Sequence, residues 1–225
     1  EAYNDPAVVA CSQVADLTPE RLLDGRTTAY LCAPLDEQAR LRPLFATLVR
    51  EVVAEVYARA SRTGRPIDPP LLLVLDEAAN IAPLPDLDQL ASTGAGQGLQ
   101  LVTVFQDLAQ VHQRWGSKAD TIVNNHRAKL FGPGITCART LEYLRRVLGD
   151  AELRQRSDTS AERGRRSTTR SSTFRPLAPP NVLRERTDGS MLLVYGSLPP
   201  ALIRLRRWFE DRHLSRLVRK GQGPS

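Results

Sequence analysis

Apolar residues along this chain alternate between two rhythms. Short runs without polar breaks read as buried strands, and three- and four-residue recurrences read as amphipathic helices. The first run, Thr28–Ala33 (TAYLCA), reads as a short buried strand ended by Pro34. From Glu37 to about Ala60, Leu41, Leu44, Phe45, Leu48, Val52, Val56 and Tyr57 recur at helical steps, and Thr63–Pro70 breaks that helix with Gly64, Pro66, Pro69 and Pro70. Leu71–Leu75 is apolar without alternation, as expected of a strand covered on both faces.

The same rhythm then repeats. A short helix near Pro85–Ser92 leads to a Gly-rich turn at Gly94–Gly98, and Leu99–Phe105 is the next strand. Helices follow at about Asp107–Arg114 and Lys118–Asn125, then a strand at Ala128–Phe131 closed by Gly132-Pro133-Gly134, and a helix at Ala138–Leu148. Alternating strands and helices imply a three-layer α/β/α fold with a mainly parallel sheet. Residues 155–172 are rich in Ser, Thr and Arg and nearly lack apolar side chains, so they read as a mobile basic loop. Leu177–Leu183 reads as a short turn or helix. Met191–Tyr195 and Ala201–Leu205 read as a closing β-hairpin, and residues 216–225 as a disordered tail. The pattern is therefore one domain over residues 1–215.

Composition adds limits. The chain has 225 residues, no apolar run long enough to span a bilayer and no visible signal peptide. Cys11, Cys32 and Cys137 lack metal or disulfide spacing and read as reduced cytosolic thiols; His112, His126 and His213 read as surface or satisfied structural residues. Charge is uneven: residues 1–138 carry 12 Lys/Arg and 16 Asp/Glu, and residues 139–225 carry 19 and 9. The basic C-terminal portion suits contact with phosphate or an acidic surface; a solvated arginine-rich face fits the same numbers.

The candidate chemistry sits after the strands. Leu71–Leu75 runs into Asp76-Glu77, the form of a Walker B strand, at the sheet edge where ligands bind in open α/β folds. In that reading Asp76 holds Mg²⁺ directly or through water, and Glu77 orients and deprotonates the water attacking a γ-phosphate. Gln106, after the next strand, is placed to contact the γ-phosphate or that water. Gly94–Gly98 precedes a strand and lacks a following Lys-Ser/Thr, so it is not a phosphate loop, and no GxxxxGK[ST] occurs anywhere in the chain. Arg114, Arg127 and Arg139 are candidates for a finger acting on a neighbour's nucleotide, Arg127 foremost. Arg156, Arg163, Arg165, Arg166, Arg170 and Arg175 make the basic loop a candidate DNA contact, Arg163, Arg165, Arg166 and Arg170 above all; Phe174 is its one stacking aromatic, which argues against sequence-specific single-strand recognition.

Three segments carry a resemblance: LLLVLDEAANIAPLPDLDQL, STGAGQGLQLVTVFQDLAQVHQRWG and IVNNHRAKLFGPGI, with FRPLAPPNVL and VYGSLPPALIRLRRWFED downstream. Together they resemble the C-terminal part of the TraG/TraD coupling proteins of conjugation and type IV secretion, the actinobacterial members most. TTAYLCAP resembles the strand re-entering that family's ATPase sheet. The resemblance implies a RecA-like ATPase that works as a homo-hexamer at the cytoplasmic face of the membrane. Such a protein passes relaxase-bound single-stranded DNA or protein to the secretion channel. It implies ATP and Mg²⁺ as cofactors, with Asp76, Glu77 and Gln106 as the matching site residues. It also implies relaxosome and channel proteins as partners. The family's membrane anchor, Walker A segment and helical insert have no counterpart in this sequence, so the chain alone is expected to lack turnover. The alternative is a non-catalytic module recognising relaxosome or effector proteins on an ATPase-derived scaffold.

Overall fold

The computed structural model describes residues 9–10, 17–25, 27–34, 36–160 and 166–221; for 153–160, 166–171 and 219–221 it describes the backbone alone. The chain divides into two compact units, Glu1–His126 and Arg127–Ser225.

In the first unit, helix α1 (Pro19–Asp24) is capped by Thr18, whose hydroxyl accepts the Arg21 N–H. Helix α2 (Gln38–Thr63) follows and stops at Gly64 in the left-handed region. Arg59 of α2 ties α1 down through Asp24 (2.6 Å) and the Glu20 carbonyl (3.1 Å). Strand β1 (Leu71–Leu75) pairs in parallel with β2 (Leu99–Thr103), Leu71 opposite Leu99 and Leu75 opposite Thr103. Between them runs α3 (Leu87–Gln97), and after them α4 (Leu108–Trp115) and α5 (Ala119–Asn125).

One face of the β1–β2 pair, with Leu71, Leu73, Leu75, Leu99 and Leu101, packs against Val49 and Val53 of α2, Leu87 and Leu90 of α3, Val111 and Trp115 of α4 and Ile122 of α5. The other face is exposed: Leu72 and Val74 on β1, Val102 on β2 and Val104 just beyond it. The expectation that β1 is covered on both faces is corrected here. An unbroken apolar run marks a strand that two layers can cover, and within the described residues only one layer is present.

Two further readings change in this unit. Residues 27–34 form no strand and Tyr30 is exposed, because nothing among the described residues pairs with them. The Gly-rich turn is mostly helix: α3 continues through Gly94 to Gln97, and only Gly98 leaves it, at φ +88°. Gly94 is buried against Leu99, whose Cδ2 lies 3.0 Å from where a Cβ would sit. A Cβ at Gly98 would lie 2.6 Å from the Ile67 carbonyl oxygen, so both the backbone angle and the space demand glycine there.

In the second unit, β3 (Ala128–Phe131), β6 (Ser190–Tyr195) and β7 (Ala201–Arg204) form an antiparallel sheet, β3 and β7 flanking β6. Helices α6 (Ala138–Leu148) and α7 (Pro180–Arg184) pack Leu144 and Leu183 against Leu192. Among the described residues the parallel pairing expected for most of the sheet is thus confined to β1–β2, since hydrophobic rhythm marks strands without fixing their direction. The C-terminal hairpin stands as expected.

The Ser/Thr/Arg-rich segment pairs as two antiparallel strands, β4 (Asp150–Ser160) and β5 (Arg166–Pro176), over 11 residue pairs. This corrects the loop reading of 155–172: a ladder satisfies backbone groups without an apolar core, and β-branched Thr168, Thr169 and Thr173 favour extended backbone. Residues 161–165 lie outside the described set. Helix α8 (Arg212–Gly221) takes in most of the expected disordered tail, and 222–225 lie outside the described residues.

Candidate functional site

The site begins where β1 ends. The parallel ladder runs one step past both strands: the Val104 N–H donates to the Leu75 carbonyl (3.0 Å), and the Ala78 N–H donates to the Val104 carbonyl (3.1 Å). These two bonds staple the Asp76-Glu77 turn to the segment leading to Gln106. Both strand ends therefore open at one sheet edge.

Glu77 sits at φ +48°, the only non-glycine residue with positive φ among those described. That conformation costs a β-carbon-bearing residue about 1–2 kcal/mol, so its surroundings must hold it. The Glu77 carbonyl accepts the Asn80 N–H (2.8 Å) and the Ile81 N–H (3.1 Å). Ala78 and Ala79 are fully buried directly after it, which fixes the backbone from below. The Asp76 carboxylate accepts the Glu77 N–H at 3.1 Å. The Asn80 side-chain amide lies 3.5 Å from Glu77 Oε2, and Arg42 of α2 donates to the Asn80 carbonyl at 2.7 Å. Glu77 is thereby half-buried and braced, while Asp76 is exposed.

Gln106 is exposed at the same edge, one residue before the cap of α4. Its N–H donates to Gln110 Oε1 (3.2 Å), and Asp107 caps the helix by accepting the Gln110 N–H (2.8 Å). The neighbouring Phe105 ring meets Trp115 edge to face at 5.7 Å, and Trp115 Nε1–H donates to the Leu84 carbonyl at 2.7 Å. Trp115 thus holds both the segment before Gln106 and the stretch between the Asp76-Glu77 turn and α3.

Asn80, Arg42 and Trp115 brace this edge of the sheet, and the sequence pattern does not single them out. Asn80 has one visible signal, an amide three residues after Glu77 in a turn. His126 is satisfied, as expected. Its Nδ1 lies 2.7 Å from the Ile122 carbonyl, which can only accept, so Nδ1 carries the proton and Nε2 faces the Thr103 hydroxyl at 3.1 Å.

The first unit brings Asp76, Glu77 and Gln106 to one edge. Arg127 belongs to the second unit, where its guanidinium stacks over the Tyr195 ring at 5.1 Å and its carbonyl accepts the Gly196 N–H at 2.9 Å. Arg114 and Arg139 are exposed on α4 and α6. Of the DNA-contact candidates, Arg166 and Arg170 fall on the backbone of β5, and Arg163 and Arg165 lie outside the described residues. Among the described residues no group of three or more His, Cys, Asp or Glu could hold a metal by itself, and no helix is long and apolar enough to cross a membrane.

Comparison with known proteins identifies the family and the fold. Residues 70–187 match a family model described as the TraM recognition site of TraD and TraG. The VirD4 protein of Agrobacterium fabrum (strain C58) is 25% identical over 219 residues, 96% of this chain and 32% of VirD4. The conjugal transfer protein TraG of Escherichia coli is 26% identical over 194 residues, 80% of this chain and 30% of TraG. The chain spans about a third of the length of the curated relatives it matches. The unbound bacterial conjugative coupling protein TrwBΔN70 superposes with a TM-score of 0.66 at 20% identity, over 85% of this chain and 44% of that one. TrwB in complex with ADP and Mg²⁺ gives a TM-score of 0.64 at 22% identity, over 85% and 43%. These likenesses establish the RecA-like α/β fold. Because the family model covers more than half of its length, the chain belongs to the TraG/TraD family and corresponds to the C-terminal part of a conjugative coupling protein.

Proposed function

We propose that this chain supplies the Walker B and sensor half of the ATPase site of a coupling protein that delivers DNA or protein substrates to a conjugation channel. The observation that carries the reading is the stapled turn: the Leu75–Val104–Ala78 hydrogen bonds lead Asp76, Glu77 and Gln106 out at one edge, with Glu77 held in a costly backbone conformation.

The residues fit a magnesium nucleotide in part. Two carboxylates at a parallel-sheet edge are hard oxygen donors suited to Mg²⁺. The chain has no amide cradle ending in Lys-Ser/Thr, so the phosphates need a loop from elsewhere in the protein. Mg²⁺-ATP supplies the transferable phosphoryl group and neutralises its charge when bound. Asp76 would hold the cation, directly or through water. Glu77 orients the attacking water and takes its proton on a carboxylate oxygen. Gln106 contacts the γ-phosphate or that water from the neighbouring strand end. Arg127, exposed on its tyrosine, acts on the nucleotide of an adjacent subunit in a hexameric ring. The isolated chain is expected to bind Mg-ATP too weakly for a calorimetric signal. Tight binding by the chain alone would show that the phosphate cradle is not needed.

A second reading rests on the family description, which names a TraM recognition site. In this reading the chain docks relaxosome proteins at the cytoplasmic face of the membrane, and the sheet serves as its scaffold. The two readings separate on Glu77→Gln. A recognition module keeps substrate docking and DNA transfer with that variant, whereas a motor keeps docking and loses transfer.

A further inference from the structure

We infer that α8 and the turn before it form a docking face for an anionic lipid surface. Leu214, Leu217 and Val218 are all exposed on α8. At about 100° per residue they fall within an arc of roughly 100°, with Arg212 and Arg216 on the opposite side. Just upstream, Trp208 and Phe209 are more than half exposed, their rings edge to face at 5.7 Å, with Arg207 over Phe209 at 5.9 Å. Leu205 is exposed as well. Five or more large apolar side chains thus face water within one short stretch.

The charges decide the occupant. From Arg204 to Lys220 the sequence carries seven Lys/Arg against two acids, Glu210 and Asp211. Both acids are engaged: Asp211 pairs with Arg206 at 3.0 Å and caps α8 through the His213 and Leu214 N–H groups, and Glu210 lies 3.9 Å from Arg207. Arg204, Arg212 and Arg216 have no ion pair among the described residues. A protein core would complement the apolar stripe and leave these cations unmatched. Single-stranded nucleic acid would take the cations and the aromatic pair but leave three aliphatic side chains in water. An anionic bilayer surface matches both halves. Aliphatic residues enter the acyl boundary, Trp208 sits at headgroup depth and the arginines meet the phosphates. The helix has ten residues, so it lies in the interface plane and does not span.

The test mixes the chain with vesicles of phosphatidylcholine alone and of phosphatidylcholine with about one-third phosphatidylglycerol. Co-sedimentation is expected with the anionic vesicles only and should weaken as salt rises. The two tryptophans are Trp115 and Trp208; Trp115 is already buried, so a blue shift of emission reports Trp208 entering lipid. Leu217→Glu, at an exposed position, should weaken partitioning about tenfold or more with an unchanged unfolding midpoint. Arg212→Glu with Arg216→Glu should erase the preference for anionic lipid. Absence of partitioning, or equal partitioning of wild type and Leu217→Glu, would overturn the inference. So would vesicle-independent binding of a single-stranded oligonucleotide or self-association, either one abolished by Leu217→Glu.

Discussion

Asn80 grips Glu77 at two points: its backbone N–H donates to the Glu77 carbonyl at 2.8 Å, and its side-chain amide lies 3.5 Å from Glu77 Oε2. The first contact closes the turn and the second aims the carboxylate. Arg42, reaching from α2 to the Asn80 carbonyl, fixes the holder in turn. In the proposed site, where Glu77 activates water, this support matters because misplacement by about 1 Å costs up to ~100-fold in rate.

Asn80→Ala should therefore act on turnover and leave nucleotide binding alone. In the full-length protein we expect kcat to fall by about 3- to 100-fold with KM nearly unchanged. Steady-state ATPase kinetics check this. A raised KM at constant kcat would place Asn80 in nucleotide binding instead.

Trp115→Phe keeps most of the ring but removes the donor to the Leu84 carbonyl. Leaving that buried carbonyl unpaired should cost about 1–3 kcal/mol. For a chain of this size that corresponds to a fall in melting temperature of roughly 2–4 °C per kcal/mol, read by differential scanning calorimetry. An unchanged melting temperature would mean that another donor replaces the indole.

How much of this is legible in the sequence depends on what each signal encodes. Leu71–Leu75 and Ala138–Leu148 form the strand and helix at the bounds their periodicity sets. Asp76, Glu77 and Gln106 reach a common edge because a parallel pair sends both C-terminal ends the same way. Thr28–Ala33 has the composition of a strand, yet a strand needs a neighbour, which local sequence does not contain. The Gly94–Gly98 run reads as a turn because glycine is a poor helix former; Gly94 stays helical because its missing Cβ lets α3 close on Leu99. The β4–β5 strands are hard to read because they lack the alternation of a half-buried strand. The left-handed backbone at Glu77 has no sequence signature at all, since nothing about glutamate announces φ +48°.

We propose that the basic segment made of β4, β5 and the residues between them in sequence contacts DNA through its arginines. Replacing Arg163, Arg165, Arg166 and Arg170 with glutamine should weaken DNA binding at low salt. The slope of log affinity against log salt should fall by up to about 4 for duplex DNA, nearly one for each phosphate no longer neutralised. Fluorescence anisotropy across a salt series measures both. An unchanged slope would remove these residues from the interface.

Asp211 carries a pH prediction for α8. Hydrogen bonds from the Leu214 N–H first and the His213 N–H second, with Arg206 nearby, hold its carboxyl below the ordinary value of 3.8. A depressed carboxylate pKa stabilises the fold above the unfolded value and loses that contribution as pH falls through the folded one. The helical circular dichroism of α8 should thus decline below about pH 4, and Asp211→Asn should flatten that part of the curve. Identical acid profiles for the two proteins would exclude the cap as its source.

The central claim is that Glu77 activates the attacking water at an ATPase site to which this chain contributes one half. The most direct measurement is steady-state ATP hydrolysis by the full-length protein carrying Glu77→Gln, beside nucleotide binding by the same protein. Loss of about 10²- to 10⁴-fold in turnover with binding retained is the predicted result. Undiminished turnover would contradict the account.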